Sequence, residues 1–95
     1  MSKRIGVVGI IIDNPKQNSG NVNRIISSYS QLVIGRMGIP KPEEQVGMIA
    51  LIIEGSTDQV GALTGKLGNL PGVTVKSALT SKNLNRGNQT NDEQR

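Results

Sequence analysis

The side chains that most often do chemistry in proteins are scarce in this sequence. It contains no His and no Cys, which removes the commonest general acid–base group, the thiolate nucleophile and two of the three usual zinc ligands. What remains is a handful of carboxylates. Glu43 and Glu44 are adjacent in a predicted turn, and Asp13 and Glu54 stand at predicted strand ends. Without a cleft around them, carboxylates of this kind are solvated surface groups. The chain is therefore read as non-enzymatic, with no catalytic residues, no metal and no cofactor.

Two further patterns invite a chemical reading and fail it. Residues 61–66 (GALTGK) approach the phosphate-binding loop, but one spacer residue is missing and Leu67 replaces the required Ser or Thr. The run also lies inside a predicted helix instead of opening one. Gly61, Gly65 and Gly68 are expected instead to let that helix approach a neighbour closely, despite a helix-propensity cost of about 1 kcal/mol each. RNA-binding sheets stack bases on aromatic residues of their central strands. The single aromatic residue here is Tyr29, and it falls on a helical stripe. Net charge is +4, from eleven basic against seven acidic residues. The basic residues are scattered singly apart from Lys3 and Arg4, so direct nucleic-acid binding is not expected.

These few side chains must be positioned by a short chain. Ninety-five residues give room for one domain with a core of limited size. Small domains compensate with disulfides, a metal or self-association, since a core below roughly 80 residues rarely supplies more than about 3–5 kcal/mol. With neither Cys nor His present, self-association is the route left open.

Residues 4–12 (RIGVVGIII) are rich in β-branched side chains and too short for a globular helix, so they read as a buried strand. Residues 13–20 (DNPKQNSG) read as a loop, with Pro15 and Gly20 as breakers. Val22, Ile25, Ile26 and Tyr29 then recur at helical spacing and share one face. Residues 32–39 form a second strand closed by Pro40 and Pro42, and residues 47–53 a third. Ser56 with Gln59 makes a capping box that opens a second helix. Val60, Leu63, Leu67 and Leu70 form its apolar stripe, Pro71 and Gly72 stop it, and residues 73–79 supply a fourth strand. The two halves echo each other. The order predicts an α+β, ferredoxin-like βαββαβ domain over residues 4–79: a four-stranded antiparallel sheet with two helices on one face.

A sheet covered on one side and wet on the other should alternate apolar and polar residues, yet the first and third strands are apolar on both faces. Val8, Ile10 and Ile12 oppose Val7 and Ile11. Met48, Ala50 and Ile52 oppose Ile49, Leu51 and Ile53. One set would form an exposed apolar patch in a monomer, the signature of an interface. A homo-oligomer, dimer or tetramer, follows.

Residues 80–95 differ in kind, with Leu84 the only large apolar residue in a polar run, and they are predicted to be a flexible polar tail. The apolar run 5–12 is ended by Asp13, Asn14 and Pro15, and no stretch approaches the ~20 residues of a membrane span. No membrane association is expected, and the cytoplasm is the expected compartment.

The segment VVGIIIDNP leading through Gly20 into a helix is similar to the ACT domain, whose strand–helix junction carries Asp, Pro and Gly beside a small-ligand site at a subunit interface. IGRMGIP followed by MIALIIEGSTDQVGALTGKLGNLPGVTVK resembles the small ACT-like iron-only hydrogenase system regulator family. That fold is also similar to the ligand-binding domain of the nickel-responsive repressor. The resemblance spans about residues 4–79. It implies a regulatory, small-ligand-sensing oligomeric module linked to hydrogenase or metal-enzyme systems, with a small-molecule effector bound near Asp13, Asn14, Gly20, Asn21 and Val22. A glycine there would permit close backbone approach and a helix N-terminus would favour an anion. The alternative is a structural or adaptor protein that binds a partner protein through its apolar sheet face.

Overall fold

The computed structural model describes residues 3–80, so the predicted tail lies, from residue 81 onward, outside the described residues. The chain runs β1 (Arg4–Asp13), α1 (Pro15–Ser28), β2 (Val33–Lys41), β3 (Val46–Gly55), α2 (Thr57–Gly68) and β4 (Val73–Leu79), with single 3-10 turns at Ser30–Leu32 and Pro42–Glu44. The sheet order is β2-β3-β1-β4, and every neighbouring pair is antiparallel. This is the expected ferredoxin-like βαββαβ arrangement. Among the described residues, no helix is long and apolar enough to cross a membrane.

Strand alternation decides what is buried. Val8, Ile10 and Ile12 of β1 and Ile49, Leu51 and Ile53 of β3 point to the side covered by the helices. Val22 and Ile26 of α1 and Val60, Leu63 and Leu67 of α2 meet them there, with Leu32 at one end. Among the described residues, no polar or charged one belongs to this core. Ile25 and Tyr29 pack partly buried around it on the α1 stripe, and Leu70 does so from just beyond the end of α2. Lys66 of α2 sits 5.3 Å from the Tyr29 ring centroid and so joins the two helices at the rim.

The junctions show why the boundaries fall where they do. Ser56 caps α2 in the predicted box: its Oγ accepts from Gln59 N–H at 3.1 Å, while Gln59 Oε1 accepts from Ser56 N–H at 2.9 Å. Gly72 turns into β4 with φ +72, a conformation costly for side-chain-bearing residues. At the β1–β4 pairing, a Cβ on Gly6 would run into Leu79 Cδ2 and lie 2.5 Å from the Ala78 carbonyl. Only glycine lets the strands meet there.

Three boundary expectations and one packing expectation need correction. Residues 13–20 are not a loop: α1 begins at Pro15, because proline at the first helical position lacks an N–H that would be unpaired anyway. Gly20 therefore lies within the helix. β2 continues through Pro40 to Lys41; it is an edge strand, half of whose N–H groups face away from the sheet, where proline is tolerated. α2 ends at Gly68 with Asn69 as its cap, before Pro71 and Gly72 are reached. Gly61, Gly65 and Gly68 approach no neighbour, since a Cβ at any of them would have nothing within 4 Å. They lie on the solvent side of α2.

Candidate functional site

The sheet face opposite the helices is bare among the described residues. The register sets it out in rows: Ile52, Val7 and Ala78 side by side, then Met37, Ala50, Gly9 and Lys76, then Ile39, Met48, Ile11 and Thr74. Met37 is 63% exposed, Val7 and Ile39 47%, and Ile11 and Ile52 39%. Water-facing sheet surfaces are normally polar, yet Lys76 and Thr74 are the only polar members of these rows. β4 extends the sheet and does not cover it. Of the two apolar sets read from the strands, the exposed one is Val7 and Ile11 with Met48, Ala50 and Ile52. The surface is not flat. A depression of about 290 Å³ lies over Gly9 and Ala50, between Met37, Ile39 and Ile11.

A second feature stands at the end of the sheet where β1 enters α1. Asn14 caps that helix in the left-handed region, at φ 53, which Asn tolerates better than most residues. Its N–H donates to the Gln45 carbonyl at 3.0 Å, and Asp13 N–H donates to the Gly72 carbonyl at 2.7 Å. Asn18 Nδ2 donates to the Asp13 carbonyl at 2.6 Å. Three connections, β1–α1, β2–β3 and α2–β4, are thereby tied at one point. Beside the knot is a cleft of about 420 Å³ between Asn14, Pro15 and Lys16 on one side and Pro40, Lys41, Pro42, Gln45 and Val46 on the other.

The cleft has a simple electrostatic character. No side chain caps the N-terminus of α1, so the positive end of the helix dipole is open toward it. Lys16 and Lys41 add two ammonium groups, the latter 3.5 Å from the Glu43 carboxylate. The arrangement suits a small anion. Among the described residues there is no group of three or more His, Cys, Asp or Glu that could hold a metal ion.

The five residues singled out for a ligand site do not converge. Asp13 and Asn14 are at the knot, and Asn14 borders the cleft. Gly20 is exposed in the second turn of α1 with nothing near it, so it offers no close backbone approach. Asn21 accepts a hydrogen bond from Arg24 Nη1 at 2.9 Å. Val22 is 0% exposed and belongs to the core. Once the helix starts at Pro15, residues 20–22 move onto its body. Sequence reasoning missed Lys16, Lys41 and Gln45. The pairs Pro15-Lys16 and Lys41-Pro42 carried the only available hint, a lysine held beside a rigid turn.

Fold and surface together define a class: a small ferredoxin-like α+β domain whose dominant surface is a bare apolar sheet with an anion-suited cleft at its end. Residues 4–77 match the family described as "TM1266-like: Iron-only hydrogenase system regulator, putative", and the chain belongs to that family. Among solved structures, TM1266 from Thermotoga maritima, described as an uncharacterized protein, shares 32% sequence identity. The match covers 81% of this chain and 96% of that one, with a TM-score of 0.78. SnoaB, a cofactor-independent oxygenase from Streptomyces nogalater, superposes with a TM-score of 0.51 at 11% identity, covering 98% of this chain and 100% of that one. That likeness is one of fold alone. No curated protein matches the chain.

Proposed function

We propose that this chain is a non-enzymatic regulatory module of the iron-only hydrogenase system that works as a self-paired sensor of a small anionic effector. The observation that carries the reading is the bare sheet face. Five of its large apolar side chains, spread over three rows, are 39–63% exposed, in a chain with no Cys and, among the described residues, no metal ligand set to supplement a small core. Pairing through that face would bury the patch and supply the stability the core lacks. The effector would sit in the cleft at the start of α1, with Lys16 and Lys41 offering charge and Asn14 and Gln45 offering polar groups. Because Asn14 and Gln45 are joined through the backbone, an occupant there would stiffen the β1–α1 and β2–β3 connections together. Asp13 and Val46 pair at the end of the β1–β3 ladder, directly beside the paired surface, which gives the effector a route to the interface.

A thermal-shift screen with carboxylates, amino acids and small inorganic anions tests the sensor. The reading expects a stabilising shift from at least one anionic class, lost when Lys16 and Lys41 are both changed to Ala. No shift across a broad panel, with the oligomer intact, would count heavily against it.

A further inference from the structure

Placing a Cβ on each glycine separates those the chain itself needs from those it does not. Gly6, Gly55 and Gly72 are crowded by their own neighbours. Gly9 is not. It lies in the middle of β1, one of the two central strands, and Gly72 is the sole positive-φ glycine among the described residues. A Cβ on Gly9 would touch only the Lys76 carbonyl oxygen at 3.9 Å, an ordinary contact distance. Glycine in a strand interior weakens the strand and often marks a place where another chain or a ligand comes close. Nothing among the described residues explains it.

Its surroundings supply the explanation. Gly9 pairs with Ala50 on one side and Lys76 on the other, so the two central strands carry their smallest side chains in the same row. The rows on either side are bulky: Ile52 with Val7, and Ile39 with Met48 and Ile11. The bare face thus carries a trough, a depression of about 290 Å³ floored by Gly9 and Ala50 and rimmed by Met37, Ile39, Met48 and Ile11, with Ile52 and Val7 one row beyond its open side.

We propose that the trough receives the Ile11–Met48 ridge of a second copy of this chain, across a two-fold axis that crosses the strands between those two rows. The proposal rests on the self-pairing read above and specifies its geometry. An isologous contact needs a surface complementary to itself, and a face carrying both trough and ridge qualifies. With the axis so placed, Gly9 faces the partner subunit's Ile11, Ala50 faces the partner subunit's Met48, and Met37 meets the partner subunit's Ile39. Each contact recurs with the copies exchanged. Lys76 falls opposite the partner subunit's Thr74, a neutral hydroxyl. An axis along the strands would stack ridge on ridge. One crossing through the trough itself would set Lys76 against its own copy and leave the trough empty. The large apolar side chains expose roughly 400–500 Å² on this face, more than half of the ~800 Å² each partner of a standard interface contributes. Met48, Ala50, Ala78 and the Lys76 methylenes make up much of the rest.

The test is sedimentation equilibrium of the full chain as wild type, Gly9→Leu, Ala50→Leu and Gly9→Leu with Ile11→Ala, with circular dichroism on dilute samples. Wild type should pair, and either leucine should raise the dissociation constant by at least about a hundredfold while dilute samples keep their spectra and melting behaviour. Shortening the ridge with Ile11→Ala should recover about tenfold of the Gly9→Leu loss. If Gly9→Leu does not fold, Ala50→Leu, which fills the same trough from the neighbouring strand, decides. A wild-type monomer would overturn the pairing reading and the trough with it. Pairing of wild type that both leucine variants leave unchanged would overturn the trough alone.

Discussion

Ile10 and Ile11 are neighbours in β1, identical in chemistry and opposite in direction. Ile10 is 0% exposed in the core and Ile11 is 39% exposed on the bare face. Ile10→Ala deletes three buried carbons and should cost about 2–5 kcal/mol at any protein concentration. Ile11→Ala should cost about 1 kcal/mol or less in an isolated copy, where much of the side chain is already in water. In a pair the reckoning changes. The exposed part of Ile11 amounts to roughly 60–70 Å², which at ~25 cal/mol per Å² is about 1.5 kcal/mol per copy and about 3 kcal/mol per pair. That corresponds to a weakening of dimerisation on the order of a hundredfold. Urea unfolding followed by circular dichroism at about 1 µM and about 100 µM protein separates the cases, because mass action makes the stability of a dimer rise with concentration. The wild-type midpoint should rise with concentration. Ile10→Ala should lower it equally at both, and Ile11→Ala should lower it chiefly at the higher one. Equal losses for Ile11→Ala at both concentrations, with a wild-type midpoint that does not move, would mean that Ile11 stays in water in the native state.

Other perturbations probe separate parts of the structure. Gly6→Ala should destabilise the chain by about 1–3 kcal/mol through overpacking against Leu79 and Ala78, whereas Gly9→Ala in dilute solution should leave the melting temperature unchanged or slightly raised; differential scanning calorimetry of the two compares them. Ser56→Ala removes one arm of the capping box and should cost about 1 kcal/mol in a chemical denaturation curve, and a neutral result would show that α2 is held by packing alone. Changing Lys16 and Lys41 both to Gln should abolish any thermal shift produced by an anion while lowering the melting temperature of the unliganded chain only slightly, since the one ion pair lost, Lys41 with Glu43, is exposed.

Much of the architecture was legible because it rests on periodicity. The stripe Val60, Leu63 and Leu67, the Ser56–Gln59 box and the two-faced apolar strands are local signals that agree with the packing observed, and Leu70 packs on the core from beyond the helix end. The first helix was harder to read. DNPKQNSG has the composition of a loop, and only the tertiary setting turns Pro15 from a breaker into a helix start: Asn14 is held in a left-handed conformation by a bond to Gln45, a residue far along the chain. The same displacement scattered the expected ligand residues, carrying Val22 into the core and Gly20 onto an empty helix surface. Lys41 and Gln45 could not be tied to Asn14 beforehand, because their proximity is made by the β2–β3 hairpin folding back beside β1. The role of Gly9 was equally hidden. Glycine in a strand is ambiguous until the space around it is known, and that space opens outward from the chain.

If a second copy covers the bare sheet face, the chain must pair in solution. Sedimentation equilibrium of the wild-type chain at micromolar concentration tests it most directly. The wild-type chain should show a mass of two or more copies, falling to one on dilution, and falling to one at the same concentration when Ile11 and Ile52 are replaced by Lys. A wild-type chain that remains a folded monomer throughout the micromolar range would contradict it.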